Sequence, residues 1–243
     1  MDAARQGDCL LDLVGLTPTV RLQRVRPDGG AEIWLKLEHL NPSGSVEDRV
    51  GAALVDAGPI RARPERAIAV ALAACVRGKP CQVTLTAPPT HEQREMLRLL
   101  GAEWVEQEPA IDVAQATHSA PPAPSPDMIA SFRATLGAEV AAWVKALEPP
   151  TRLALIVAPP FLAPALDGAG VPVLAAPEVP AAEAASMAAR LAREEGLLVG
   201  PATGANVVAA LQAAAARPAS QAVLAFALES GERYFSASME PRA

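Results

Sequence analysis

Few side chains of this chain could carry out chemistry, and their spacing is informative mainly for what it excludes. The three histidines, His39, His91 and His118, stand far apart and lack the short spacings of metal ligands. Ser230 and Ser236 have no histidine and aspartate placed by the sequence to form a nucleophilic triad. An odd number of cysteines fits neither a disulfide framework nor a zinc site; they are residues 9, 75 and 81. The sequence therefore predicts no metal centre and no serine hydrolase.

One segment does carry a chemical signal, although one of its residues is unexpected. From Leu37 to Arg49 it reads Leu-Glu-His-Leu-Asn-Pro-Ser-Gly-Ser-Val-Glu-Asp-Arg. It resembles the segment Asn-Pro-x-Gly-Ser-Val-Lys-Asp-Arg of the cysteine synthase family, whose lysine binds pyridoxal phosphate. Glu47 stands where that lysine should be. A carboxylate cannot form a Schiff base with the cofactor aldehyde. The resemblance therefore implies that no catalytic residue occupies this position.

Other segments resemble the same family and occur in the same order along the chain. These are the cysteine synthase and cystathionine beta-synthase enzymes, fold type II pyridoxal-phosphate enzymes with the tryptophan synthase beta-like fold. The resemblance implies an α/β protein with two lobes of doubly wound, mostly parallel sheet. The matching segments are residues 15–22, 32–38, 87–105, 192–205 and 229–236, the last reading Glu-Ser-Gly-Glu-Arg-Tyr-Phe-Ser.

The pattern of apolar residues independently indicates alternating strands and helices, which is typical of a doubly wound α/β protein. Strands are predicted at residues 20–22, 32–37, 83–86, 104–106, 153–157, 171–175 and 223–227. Helices are predicted at residues 46–57, 64–76, 91–100, 127–147, 181–195 and 205–216.

The resemblance also implies how the two lobes divide the chain. Residues 1–45 and 119–243 are expected to form the larger lobe, and residues 46–118 the smaller one. The proline-rich stretch 119–126 cannot be regular helix and is expected to connect the lobes. Residues 176–180 lead almost directly into a helix, whereas the family has a long segment there that covers the active-site mouth. The larger lobe is therefore expected to be truncated.

The phosphate-binding loop of the family is also replaced. Relatives use Gly-Thr-Gly-Gly-Thr after a strand, where backbone amides converge on the anion. Here the strand runs into Pro159, Pro160 and Phe161, so amide donors are lost and apolar bulk takes the place of glycine. Thr203 falls near the family's serine that meets the pyridine nitrogen, and Ser230 lies in the terminal element. The resemblance therefore implies that pyridoxal phosphate binding is lost and that no cofactor is expected.

The substrate side of the implied cleft has changed as well. Family members bind the amino-acid carboxylate with a Thr-Ser-Gly-Asn-Thr-Gly loop at a helix start. Aligning the helix that follows places Arg63, Glu65 and Arg66 over that loop. Glu47 then has two interpretations. It is a tolerated acid in the first helical turn, or it pairs with Arg63 or Arg66 across the former cofactor cavity.

The first interpretation includes a local prediction about the start of this helix. Ser45 and Asp48, three residues apart, are expected to form a capping box. The second predicts a plugged cavity, in which removing one partner of the pair is costly.

Three functions remain open. The first is a pseudoenzyme without Schiff-base chemistry that acts as a binding, scaffold or regulatory partner, as a homodimer or as a heteromer with an active paralogue or pathway enzyme. The second is an enzyme with altered cofactor binding, for which the resemblance implies cysteine synthase-like, pyridoxal-phosphate dependent beta-replacement by a transferase or lyase. Its amine would have to come from Lys36, Lys79 or Lys145. The third is a protein that binds a small anion or amino acid through Arg63 and Arg66.

Composition narrows the location and the partners. A net charge of −6 argues against nucleic acid, which favours a basic surface. The sequence shows no signal peptide and no run of about eighteen apolar residues, so export and membrane insertion are not expected. Together with the unpaired cysteines, these features predict a cytoplasmic protein.

Overall fold

The strands of the protein form two separate sheets. The computed structural model describes residues 6–106, 124–147 and 152–237. Except for the first two strands of the chain, neighbouring strands are parallel, which confirms the predicted α/β fold with mostly parallel sheets. The larger sheet has the order β1 (Thr19–Arg21), β2 (Glu32–Lys36), β8 (Gln221–Phe226), β6 (Arg152–Ala158) and β7 (Val173–Ala175). The smaller has the order β3 (Ile60–Ala62), β4 (Gln82–Leu85) and β5 (Glu103–Glu106).

Helices connect the strands. The described α-helices are α1 (Asp48–Leu54), α2 (Pro64–Val76), α3 (His91–Leu99), α4 (Pro126–Phe132), α5 (Ala138–Ala146), α6 (Ala181–Arg190) and α7 (Pro201–Ala215). Two π-helical turns extend them: Arg133–Gly137 joins α4 to α5, and Leu191–Glu195 continues α6. The two longest predicted helices are therefore each a single helical stretch with a π turn. Short 3-10 helices lie at Leu10–Leu13, Glu38–Leu40, Val55–Ala57, Ala163–Ala165 and Gly231–Ala237, the last called the terminal 3-10 helix below.

The predicted elements differ from the observed ones chiefly at their ends. Strand β3 was not predicted, because three residues are too few to show an alternating pattern. Helix α1 begins two residues later than predicted and ends at Leu54, where a 3-10 turn follows. Helix α7 begins four residues earlier than predicted, at Pro201, because proline is well suited to the first turn of a helix.

The larger sheet is buried on both faces, as expected for parallel strands between helices. Alternate residues of β8 point in opposite directions. Val223 and Ala225 belong to the cluster that contains Val207 of α7, whereas Leu224 and Phe226 belong to the cluster that contains residues of α1 and α4. This central strand therefore holds the two layers of helices together.

A close contact between α1 and α2 positions the candidate site. A Cβ atom added to Gly51 of α1 would lie 2.6 Å from the carbonyl oxygen of Ala69 in α2. Glycine therefore allows the two helix backbones to approach closely. The N-terminal ends of α1 and α2 carry Glu47 and Arg66, so the same approach brings these side chains together.

The lobes themselves stay a prediction. The smaller sheet takes its strands from residues 60–106, and the larger sheet takes its strands from both sides of that range. Residues 119–123 of the predicted linker lie outside the described residues, and α4 begins at Pro126, the last linker residue.

Candidate functional site

Glu47 lies at the N-terminal end of α1 and is paired with Arg66 of α2. The Arg66 Nε donates to Oε2 at 2.9 Å, and Nη2 donates to Oε1 at 3.1 Å. The two side chains are only 11% and 14% exposed, so this is a bidentate, largely buried ion pair. Glu47 is therefore not a surface-like acid. Of the two predicted partners, Arg66 forms the bidentate pair.

Arg63 and Glu65 form a second ion pair at the start of α2. The Arg63 Nε lies 3.6 Å from Glu65 Oε2. Glu65 also accepts hydrogen bonds from Gln93 Nε2 at 3.1 Å and from the Tyr234 hydroxyl at 3.0 Å. Burial acts to raise the pKa of Glu65, but the charges of Arg63 and Arg233, with hydrogen bonds from the Glu65 amide and the Tyr234 hydroxyl, outweigh burial and lower it. Glu65 thus stays ionised and links α2 to the terminal 3-10 helix.

A second carboxyl, Glu229, is buried beside Glu65. It follows β8 and is 4% exposed. Its Oε1 accepts a long hydrogen bond from the Thr203 amide, 3.4 Å away, at the N-terminal end of α7. Burial and the charge of Glu65 raise the pKa of Glu229 to about 7. The same two causes raise the pKa of Tyr234. Two carboxyl groups with different pKa values therefore share one buried site.

Arg233 supplies positive charge to this cluster. It is 2% exposed, and its Nη2 donates to the Ser43 backbone oxygen and to Ser43 Oγ, the latter at 3.2 Å. Its charge also acts on Asp48, Glu65 and Glu229. The sequence interpretation did not include Glu229, Arg233 and Tyr234 in the site. All three lie with Ser230 in the segment 229–236 that matched the family, and the charged residues of that segment were the available signal.

Thr203 and Ser230, the two predicted hydroxyl residues, have different roles. Thr203 is fully buried, and its Oγ1 accepts a hydrogen bond from the Leu228 amide at 2.9 Å. This bond ties the end of β8 to α7. Ser230 Oγ donates to Glu232 Oε2 at 3.0 Å. Neither hydroxyl is placed beside the Glu47–Arg66 pair by these hydrogen bonds.

Two backbone amides of the turn after β6 form hydrogen bonds within the turn itself. The Leu162 and Ala163 amides both donate to the Pro159 carbonyl oxygen, at 2.9 and 3.1 Å. Pro159 and Pro160 have no amide proton. Phe161 is 8% exposed and packs against another phenylalanine of the core, with ring centroids 6.2 Å apart. These donors are consequently directed into the turn and not towards a common anion.

A buried ion cluster joins β2, α1 and α5. Lys36 Nζ lies 2.9 Å from Glu139 and donates to the Thr17 backbone oxygen at 2.9 Å. Arg49 bonds both Glu139 and Glu38 through two nitrogens each. Burial acts to raise the pKa of Glu139, but its hydrogen bonds with Arg49 dominate and lower it to about 2. Lys36 is therefore a structural cation here.

The predicted capping box is wrong. The Asp48 amide donates to the Ser45 backbone oxygen at 3.3 Å, but the Asp48 carboxylate accepts hydrogen bonds from the Ser43 amide at 2.6 Å and from Ser43 Oγ. Ser45 Oγ instead accepts from the Glu47 amide at 3.2 Å. The sharp turn at Gly44, with a positive φ of 86°, brings residue 43 within reach of Asp48.

Metal-binding clusters and membrane-spanning helices are both absent from the described ranges. No cluster of three or more histidine, cysteine, aspartate or glutamate residues suitable for a metal ion is found in 6–106, 124–147 or 152–237. Within the same ranges, every helix is too short or too polar to cross a bilayer.

Comparison with known sequences gives a consistent family. The family model described as "Pyridoxal-phosphate dependent enzyme" matches residues 10–159, more than half of this chain of 243 residues. A probable cysteine synthase of Bacillus subtilis is 27% identical over 300 residues, covering 94% of this chain and 96% of that protein. Because 300 exceeds the length of this chain, the alignment must place gaps in it. Cysteine synthase B of Escherichia coli is 34% identical over 104 residues, 38% of this chain and 34% of that protein.

Solved structures share the fold. O-acetylserine dependent cystathionine beta-synthase from Helicobacter pylori superposes with a TM-score of 0.78 at 22% identity, covering 97% of this chain and 99% of that one. Cysteine synthase from Entamoeba histolytica gives a TM-score of 0.76 at 18% identity, covering 100% of this chain and 94% of that one. At these identities the likeness establishes the architecture, whereas activity depends on the residues of the site.

Proposed function

Because this chain belongs to the pyridoxal-phosphate dependent enzymes but has a glutamate where the motif match expects the cofactor lysine, we propose that it is a non-catalytic member that acts by binding another protein. The observation that carries the proposal is the bidentate Glu47–Arg66 pair. Schiff-base formation needs a nucleophilic amine, and here the side chain at that position is an acid already bound to a guanidinium.

The three lysines of the chain do not fit the role of a substitute amine. Lys36 is 5% exposed and is held by Glu139 and the Thr17 carbonyl oxygen. Lys79 follows α2 and pairs with Asp56 at the surface, where both side chains are about half exposed. Lys145 lies in the last turn of α5. The residues present therefore do not fit a cofactor that is held through an amine, and we derive no reaction step through it.

The phosphate end does not fit the cofactor either. A phosphate group is normally held by several converging backbone amides, often at a helix start. In the turn after β6, two prolines lack amide protons, and the Leu162 and Ala163 amides bond the Pro159 carbonyl oxygen. The buried Phe161 side chain occupies a place where close backbone approach would require glycine.

The framework around the cleft supports a retained binding role. The cluster formed by Lys36, Arg49 and Glu139 links β2, α1 and α5 through buried ion pairs. This part of the framework is therefore ordered although the cofactor lysine is replaced. Near the N-terminal edge of the larger sheet, Leu16 is 69% exposed with a positive φ of 48°. A leucine held outward in that conformation is uncommon. Exposed apolar side chains at a sheet edge favour contact with a second protein chain.

Measuring the molecular size of the purified protein tests whether it binds a partner chain. The purified chain should elute as a dimer, or should form a heteromer when it is co-expressed with an active cysteine synthase. The variant Leu16→Asn keeps a residue that tolerates positive φ but removes the apolar surface, and it should weaken the assembly. An inert monomer under both conditions would remove the binding proposal.

A separate measurement tests the absence of cofactor chemistry. The protein incubated with an equimolar amount of pyridoxal phosphate and treated with borohydride should show no added mass on the buried Lys36, while the active-site lysine of an active cysteine synthase treated alongside should be labelled. Labelling at Lys36 would instead favour the alternative of a pyridoxal-phosphate dependent transferase or lyase with altered cofactor binding.

A further inference from the structure

One cavity lies away from the Glu47–Arg66 pair. It has a volume of about 480 Å³ and is bounded by residues 39–44, α3 and the terminal 3-10 helix. Glu47, Arg63, Glu65 and Arg66 do not line it. We call it the terminal cavity. Cavities of this size suit small organic ligands.

The terminal cavity is lined by a buried cation with unused donors. Arg233 is 2% exposed, and its Nε and Nη1 atoms are buried without a hydrogen-bond partner among the described residues. A guanidinium has five N–H bonds, and three of them belong to these two nitrogens. A buried donor left without an acceptor costs about 1–3 kcal/mol. Both nitrogens are shielded from solvent, so a ligand acceptor reaches them only when the Arg233 side chain shifts, and the bond that then forms removes this cost.

The rest of the cavity lining favours a positively charged group on the ligand. Glu92 and Glu232 both line the cavity. Glu92 is held in place by the Ser236 amide and hydroxyl at 2.9 and 2.7 Å, and Glu232 by the Ser230 hydroxyl at 3.0 Å. His39 also lines the cavity, and its Nδ1 has no partner in the described structure. Burial lowers the pKa of His39, so the imidazole is neutral near neutral pH and does not repel a cation.

We propose that the terminal cavity binds a small zwitterion, with an acceptor carboxylate on Arg233 and a cationic amine between Glu92 and Glu232. A free anion fits less well, because Asp48, Glu65 and Glu229 already act on the Arg233 charge and two more carboxylates line the cavity. A free cation would leave the Arg233 donors unpaired. The exposed Leu40, together with Met96, offers apolar contact to the chain between the two charges.

This site does not depend on the proposed loss of catalysis, and its test is separate. We would measure binding of γ-aminobutyrate to the full chain by calorimetry, with butyrate and butylamine as the two half-ligands of similar size. The zwitterion should bind at least about tenfold more tightly than either half-ligand. Glycine and β-alanine would then report the preferred separation of the charges. Equal affinities for all three four-carbon probes, or no binding of any, would overturn the proposal.

Substitutions locate the binding. Glu232→Gln removes one carboxylate from an exposed position and should weaken γ-aminobutyrate at least about tenfold while leaving butyrate unchanged or tighter. Glu178→Gln, an exposed acid elsewhere, changes the net charge equally and should leave the affinity unchanged. Arg233→Lys should abolish the preference for the zwitterion over butylamine. If Arg233→Lys does not fold, the Glu232→Gln result alone decides, and an unaltered affinity there refutes the site.

Discussion

Replacing Glu229 by glutamine should remove a pH dependence of stability that this buried carboxyl imposes. Its pKa is raised from 4.5 to about 7, first by burial and then by Glu65. A shift of this size corresponds to about 3 kcal/mol between the two protonation states. Because the folded state binds the proton more tightly than the unfolded chain, this stabilisation is complete below about pH 4.5 and is lost as the pH rises through about 7.

Glutamine is the suitable replacement for this test. The Glu229 carboxyl is tightly surrounded, because a Cβ added to Gly200 would collide with its Oε1 atom. Alanine at position 229 would therefore leave a cavity. Glutamine keeps the shape and the oxygen that accepts from the Thr203 amide. It cannot ionise, so the variant should hold its stability in the alkaline range where the wild-type protein loses it.

The assay is urea unfolding of both proteins at several pH values between about 5 and about 9, with the free energy of unfolding compared at each pH. The difference, variant minus wild type, should rise by about 3 kcal/mol over this range. Glu139, whose pKa of about 2 makes its stabilisation fall only in acid, does not contribute to this window. Exposed Glu178→Gln is the control and should give a constant difference. Parallel curves for wild type and Glu229→Gln would refute the reasoning.

Three further predictions concern the Glu47–Arg66 cleft. Glu47→Ala should lower the free energy of unfolding by about 2 kcal/mol because it strands Arg66, and the double variant with Arg66→Ala should lose less than the sum of the two single losses. A denaturation midpoint unchanged from wild type in Glu47→Ala would count against this pair, whereas the exposed control Glu95→Ala should have no measurable effect. Gly51→Ala should destabilise by about 1–3 kcal/mol, since its Cβ would lie 2.6 Å from the Ala69 oxygen, and equal melting temperatures would exclude that close contact. Glu47→Lys should still take up no pyridoxal phosphate, because Pro159 and Pro160 supply no amide proton and the Leu162 and Ala163 amides are bonded within the turn; a yellow protein that borohydride bleaches would show this to be wrong.

Much of the fold could be predicted from the sequence because it depends on local patterns. The seven predicted strands each overlap an observed one, since short apolar runs between helical stretches are a strong signal. The family followed from several short segments in a fixed order, of which 229–236 is an example. Strand β3 was missed because its pairing with β4, not its own three residues, makes it a strand. The Ser45–Asp48 capping box was wrong because Ser43, brought close by the turn at Gly44, binds Asp48 instead.

The sequence by itself determined that an acid replaces the expected lysine and that Arg63 and Arg66 align with the family's substrate loop, because those are statements about residue identity and order. Only the tertiary structure decided that Arg66 forms the bidentate bond with Glu47, since this depends on how closely α1 and α2 pack at Gly51. The cluster of Glu65, Glu229 and Arg233 was likewise beyond the sequence. Glu65 lies far from the other two residues in the sequence. Its hydrogen bond with Tyr234, in the same segment as Glu229 and Arg233, spans 169 positions. Burial and the approach of like charges, which set the pKa of Glu229, exist only once the chain is folded.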